Sequence, residues 1–141
     1  LVFTFFFLFL IFYITSLDRS LAFYRAAFPH WRIRTRGEGT WYGKPRIWVH
    51  FGDDNHYIAL NEMGEGNNRD LTGHQVGLAH FAYVTHNLDA VIKRLRQAGF
   101  EVTNPGSEEP HRRNAYFVDP DGFEVEFVQY LSDLPEERNL E

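Results

Sequence analysis

The sequence predicts an α+β fold, two paired βαβββ modules within one domain of 141 residues. Three observations predict it. Two segments of helical spacing, Leu17–Phe28 and Leu88–Ala98, each follow an apolar strand-like run and a capping residue, Ser16 or Asn87. Each helix is followed by alternating strands and a turn-forming cluster, Asp53-Asp54-Asn55 in the first half and Asp119-Pro120-Asp121-Gly122 in the second. The halves also superimpose as an internal repeat. Leu17-Asp18 falls on Leu88-Asp89, Leu21 on Ile92, Tyr24 on Leu95, Ala27 on Ala98, and Phe51-Gly52-Asp53-Asp54-Asn55 on Val118-Asp119-Pro120-Asp121-Gly122. Neither half has a comfortable core alone, so the two are expected to pack as a pair.

The chain opens with LVFTFFFLFLIFYI, apolar apart from Thr4 and Tyr13. It falls short of the ~20 residues of a spanning helix and has no basic residue before Arg19, as a signal peptide would. Its β-branched and aromatic residues favour a buried first strand, residues 7–15; a truncated signal or anchor segment is the alternative, and with it a membrane-tethered form. In the first helix Leu17, Leu21, Tyr24 and Phe28 share one stripe, and Pro29 ends it. Trp31–Arg36 alternates Trp, Ile and Thr against Arg32, Arg34 and Arg36 and reads as a strand. Gly37–Lys44 reads as a loop, Arg46–Phe51 and His56–Glu62 as strands. Module one thus spans 7–62, a Gly- and Asn-rich linker 63–76, and module two 77–130. In module two Leu78–Thr85 reads as a strand. The helix buries Leu88, Val91, Ile92, Leu95 and Ala98 and stops at Gly99. Phe100–Thr103 reads as a short strand, Asn104–Arg112 as a loop, and 131–141 as a loosely held polar tail.

Composition narrows the chemistry. A net charge of −5 carries no basic signature for nucleic acid. The absence of Cys excludes disulfides, thiolate metal sites and Cys nucleophiles, and fits a cytoplasmic location. Seven His and 19 acidic residues leave nitrogen and oxygen donors for any transition metal.

The most informative stretch is Arg113–Tyr130, a hairpin closed at Asp119-Pro120-Asp121-Gly122. Beyond the turn Phe123, Val125 and Phe127 share one face and Glu124 and Glu126 the other. The apolar face must be buried, so the carboxylates point to water or into a polar site. By the same parity Phe81 and Tyr83 cover the helix and leave His80, Ala82 and Val84 opposite.

The phrases ITSLDRSLAFYRAAF, GLAHFAYVTHNLDAVIKRLRQAGFEV and YFVDPDGFEVEFVQ resemble the vicinal oxygen chelate superfamily, which includes glyoxalase I, extradiol dioxygenases, and fosfomycin- and bleomycin-resistance proteins. The resemblance covers about residues 9–130 and implies sheets curling around a cleft, frequent dimerisation, and a divalent metal held by the first and last strands of each module. It places His80, eight residues before Leu88, and Glu126, four after Gly122, as metal ligands, with Glu126 also the candidate proton-shuttling base. Fe, Mn, Ni or Zn would suit that pair. A third ligand is open among His50, His56, His111, Glu62 and a partner subunit.

The first module departs from the family pattern. Phe9 matches His80 and Ala59 matches Glu126, and neither can bind metal. Ile11, Tyr13, Tyr57 and Asn61 are in phase with them, so Phe9, Tyr13, Tyr57, Ala59 and Asn61 are candidate substrate-binding residues in an aromatic, apolar half-site. Arg32, Arg34 and Arg36 with Trp31, Trp41 and Tyr42 read either as an anion-binding patch or as a solvated strand face, and Arg113 is a further candidate substrate contact. Glu124 reads as rim and Tyr116 as packing.

These readings lead to a metal-dependent small-molecule enzyme of the glyoxalase/dioxygenase type (lyase, isomerase or dioxygenase) acting on vicinal oxygens, in a homodimer. Phe9 argues against the extradiol dioxygenases, whose iron site needs a His on that strand. The alternative is a metal-free binding or sequestering protein of the bleomycin-resistance type.

Overall fold

Alternation of side chains decides which face of each sheet meets a helix. The computed structural model describes residues 4–140. It is α+β, with sheets of four and three strands, and divides between Gly66 and Asn67 into two compact units.

The first unit comprises β1 (Phe9–Tyr13), α1 (Leu17–Ala27), β2 (Arg32–Trp41), β3 (Lys44–Gly52) and β4 (Tyr57–Glu62). The sheet order is β1-β4-β3-β2, with β1 parallel to β4 and the other pairs antiparallel. Phe12, Val49, Phe51, Ile58 and Leu60 are buried with Leu17, Leu21, Phe23, Tyr24 and Phe28 from the helix region. The Ser16 side chain caps α1 by accepting from Arg19 N. The Leu17 N–H donates to the Glu62 carboxylate at 2.6 Å, which ties the end of β4 to the positive end of the helix.

Three expectations here are corrected. The first strand is an edge strand of five residues, not a buried one of nine: Phe5, Phe6 and Phe7 lie outside it and are exposed, and Phe9, Ile11 and Tyr13 are partly exposed. An edge strand has one neighbour and only one face against the core. Residues 1–3 of the apolar run lie outside the described residues. Gly37–Lys44 is not a loop. β2 continues to Trp41 and reverses through Tyr42-Gly43, both at positive φ (49° and 78°), as a two-residue hairpin requires. The strict alternation expected for Trp31–Arg36 is also broken, because the β2–β3 register shifts between Ile33 and Thr35. That irregularity turns Thr35 to the His50 side of the sheet and Arg36 to the Val49 side, while Arg34 stays on the face opposite Ile33.

The second unit comprises β5 (Phe81–Val84), α2 (Leu88–Gln97), β6 (Arg112–Val118), β7 (Glu124–Tyr130) and α3 (Pro135–Arg138). Its sheet order is β5-β7-β6, with β5 parallel to β7. Ala115, Phe117, Val125 and Phe127 are buried with Leu88, Val91 and Leu95. The hairpin turn is held by Asp119, whose buried carboxylate accepts from the N–H groups of Asp121 and Phe123, both at 2.9 Å. Asp53 does the same work in the first unit for Asn55 and His56. The expected pairing of Gly52 with Asp119 is therefore one residue off.

Phe100–Thr103 does not form a strand. It is reduced to an isolated bridge between Asn104 and Tyr116, because Pro105 has no N–H to extend the ladder. β5 is shorter than Leu78–Thr85, and His80 sits one residue before it. Ala98 caps α2 and is exposed rather than buried. The tail is tied down: α3 places Glu137 2.8 Å from His111 Nδ1 and Arg138 over the Tyr130 ring. Among the described residues no helix is long and apolar enough to cross a membrane.

Candidate functional site

The open face of the second unit gathers polar groups from all three strands. Glu124 and Glu126 alternate with Val125 and Phe127 on β7, Asn114 and Tyr116 alternate with Ala115 and Phe117 on β6, and His80 enters ahead of β5. His80 lies between the two carboxylates, with Nδ1 3.5 Å from Glu124 Oε1 and Nε2 3.3 Å from Glu126 Oε2. The other oxygen of Glu126 accepts from Asn114 Nδ2 at 2.9 Å. Tyr116 meets the His80 ring edge-on at 5.3 Å. Burial, then the charge of Glu126 and its hydrogen bond, hold the Tyr116 hydroxyl above its ordinary 10.0, with Arg112 opposing. The phenol is thus a fixed donor.

The open face of the first unit is aromatic. Phe9 stacks on Tyr57 (4.9 Å), Tyr57 on His50 (4.6 Å), and His50 meets Trp48 at 4.9 Å. This row crosses β1, β4 and β3 and ends over β2, where Gly37 faces Trp48. Tyr13 stacks on Trp41 at 5.9 Å. Two guanidiniums lie on these rings: Arg34 is 4.5 Å from the Tyr57 centroid, and Arg46 is 4.6 Å from that of Trp41 and 5.8 Å from that of Trp48. Burial and these two cations hold the His50 imidazole below its ordinary 6.5. A cavity of about 380 Å³ opens beside Arg46, walled by Tyr13, Trp41 and Met63.

The sequence-derived site residues separate accordingly. His80 and Glu126 come together as expected, and Glu124 joins them instead of standing at the rim. Tyr116, read as packing, belongs to the cluster with Asn114, which was not singled out. Their alternation with Ala115 and Phe117 was the available signal. Phe9, Tyr13, Tyr57, Ala59 and Asn61 share the open face of the first unit, with Ala59 and Asn61 buried beneath the larger side chains. Arg113 is on the helix side of β6, where it pairs with Asp89 at 2.7 Å, away from the cluster. Of the arginines in the expected patch, Arg34 lies over Tyr57 and Arg32 pairs with Asp54; Arg46, absent from that patch, lies over Trp41 and Trp48.

The family model for the glyoxalase/bleomycin resistance protein/dioxygenase superfamily matches residues 7–127. The chain belongs to that superfamily. Structurally it is similar to a glyoxylase/bleomycin resistance protein/dioxygenase domain from Frankia sp. EAN1pec, with a TM-score of 0.73 and 22% identity, covering 99% of this chain and 100% of that one. It is also similar to the fosfomycin resistance protein FosX of Listeria monocytogenes, solved with Mn(II) and sulfate (TM-score 0.64, 18% identity, 92% of this chain and 93% of that one). TioX from Micromonospora sp. ML1 is a third such structure (0.61, 18%, 88% and 98%). At these identities the likeness is one of superfamily fold.

Superfamily membership raises the question of a metal, and the donors answer it. In the second unit only His80 Nε2 and Glu126 Oε2 approach one point. Glu124 faces the opposite ring nitrogen, and a ring's two nitrogens diverge. In the first unit the matching positions on the paired strands β1 and β4 are Phe9 and Ala59, which have no donor. Among the described residues no three His, Asp or Glu side chains are grouped to hold an ion, whereas a superfamily metal site needs three or more. Neither unit, taken by itself, assembles among its described residues a donor set that fits a resident metal.

Proposed function

We propose that this chain is a small-molecule-binding member of the superfamily that works without a resident metal and seats a planar aromatic ligand on the open face of its first unit. The observation that carries this reading is the row Phe9–Tyr57–His50–Trp48 on the open face of a module whose two donor positions are taken by Phe9 and Ala59. Large rings on a rigid sheet give stacking area at small entropic cost. In this reading His80 and Glu126 are a structural pair, each satisfied by its neighbours.

The second reading is the metal-dependent enzyme acting on vicinal oxygens. It draws support from the 3.3 Å approach of His80 Nε2 to Glu126 Oε2 and from the Mn(II) of the Listeria protein. It requires donors beyond those two, and Glu126 would then be both ligand and base.

Calorimetry with 2-naphthoate on chelator-treated protein separates the two. The first reading expects binding that His80→Ala leaves intact and that loss of an open-face ring, Trp41→Ala or Trp48→Ala, weakens. Binding that appears only after metal loading and vanishes in His80→Ala supports the second.

A further inference from the structure

We propose that Arg34, His50 and Arg46 form an anion-binding subsite, and that the ligand is a planar aromatic acid whose carboxylate meets these groups while its ring enters the cavity beside Arg46. This rests on the aromatic-ligand reading above and adds the charge and the polarity of the binding mode.

Three observations carry it. The first is the placement of the cations. Arg34, next to the core-facing Ile33 on β2, lies over Tyr57, and Arg46 lies over Trp41 and Trp48. His50 stands between them, in contact with both Tyr57 and Trp48. The second is that these cations lack acidic partners. In the same unit Arg32 pairs with Asp54 and Lys44 with Glu65. Among the described residues neither Arg34 nor Arg46 meets a carboxylate. The acids at the cavity wall are already engaged, Glu65 by Lys44 and Glu62 by the Leu17 N–H. The third lies behind Arg46. Asn61 is fully buried; its Oδ1 accepts from Arg46 Nη1 at 3.4 Å while its Nδ2 has no partner. An amide that turns its oxygen to the guanidinium and leaves its own donor unsatisfied holds Arg46 in place without neutralising it.

Chemistry then selects the ligand. Two unneutralised guanidiniums over aromatic rings favour a delocalised anion that accepts hydrogen bonds in one plane. The cavity of about 380 Å³, walled by Tyr13, Trp41 and Met63, has room for a flat ring system. His50 keeps a ring nitrogen lone pair and one N–H, and the N–H can add a donor to the same carboxylate.

The test is equilibrium binding of three isosteres to chelator-treated full chain: 2-naphthoate, neutral 2-naphthylmethanol and cationic 2-naphthylmethylammonium. The proposal expects 2-naphthoate to bind about tenfold or more tightly than the alcohol, as one charge-assisted hydrogen bond allows, and the amine to bind most weakly. Arg34→Gln and Arg46→Gln should each remove most of that preference by weakening 2-naphthoate more than the alcohol, a change in ratio that a folding defect would not reproduce. Equal binding of all three probes would overturn the anion subsite and leave the aromatic reading standing. Binding of none would overturn both. A preference that survives both arginine substitutions but is lost in His80→Ala would place the anion at the second unit instead.

Discussion

The indole of Trp48 occupies space that a side chain on Gly37 would need. An ideal Cβ at Gly37 would lie 2.6 Å from Trp48 Cζ2. The last ring of the aromatic row therefore lies flat only because the strand beside it carries no Cβ. Gly37→Ala should force the indole up, cost about 1–3 kcal/mol as overpacking does, and weaken 2-naphthoate binding. Tryptophan emission and a urea melt read the two effects together.

Removal of the His80 imidazole should matter little to stability. His80 is 38% exposed, and Glu126 keeps its hydrogen bond from Asn114 when the ring is removed. His80→Ala is expected to cost less than about 1 kcal/mol. A loss several times larger in chemical denaturation would show that the ring is a buried keystone, contrary to its placement.

The turn carboxylate behaves differently. Asp119 is buried and accepts two backbone N–H bonds. Asp119→Ala leaves those donors without it and is expected to destabilise by about 1–3 kcal/mol. The same substitution at the more exposed Asp53 should cost less.

His50 gives a pH dependence with a definite sign. Its folded value lies below 6.5, so as pH falls through 6.5 the unfolded chain takes up a proton that the folded chain resists. Stability should decline below pH 6.5 and be fully present above it. His50→Gln should flatten that part of the profile. The charged groups bearing on the ring are Arg34 from β2 and Arg46 from β3; Phe9 and Tyr57 contribute no charge there at neutral pH. An anion held between the two arginines should raise the imidazole value, visible by NMR titration with and without 2-naphthoate.

The Tyr116 phenol should ionise late. Its folded value is above 10.0, so the stability that goes with the protonated form is present below pH 10 and is lost as pH rises past it. Difference absorbance of wild type against Tyr116→Phe should show no phenolate from this residue until beyond pH 10.

Much of this was legible in the sequence where alternation is clean. Val125 and Phe127 against Glu124 and Glu126 announced both the core face and the polar face of β7, whereas only the family resemblance joined His80 to Glu126. Where alternation fails, so does the reading. The all-apolar run before Ser16 shows no polar face, so nothing in it distinguished an edge strand from a buried one. The bulge at Ile33–Thr35 separated Arg36 from Arg32 and Arg34, with which parity had placed it. Gly37 and Gly39 looked like loop residues because glycine reports only the missing Cβ, and here one of them makes room for Trp48. Phe100–Thr103 had strand composition, but Pro105 just beyond it has no N–H to extend the Asn104–Tyr116 bridge along β6.

The most direct test of the account is elemental analysis of the purified chain after dialysis and after reloading with Fe, Mn, Ni, Zn or Co, with His80→Ala and Glu126→Ala alongside. The account predicts no stoichiometric metal under any loading. A stoichiometric ion that both substitutions abolish would contradict it and return His80 and Glu126 to the role of metal ligands.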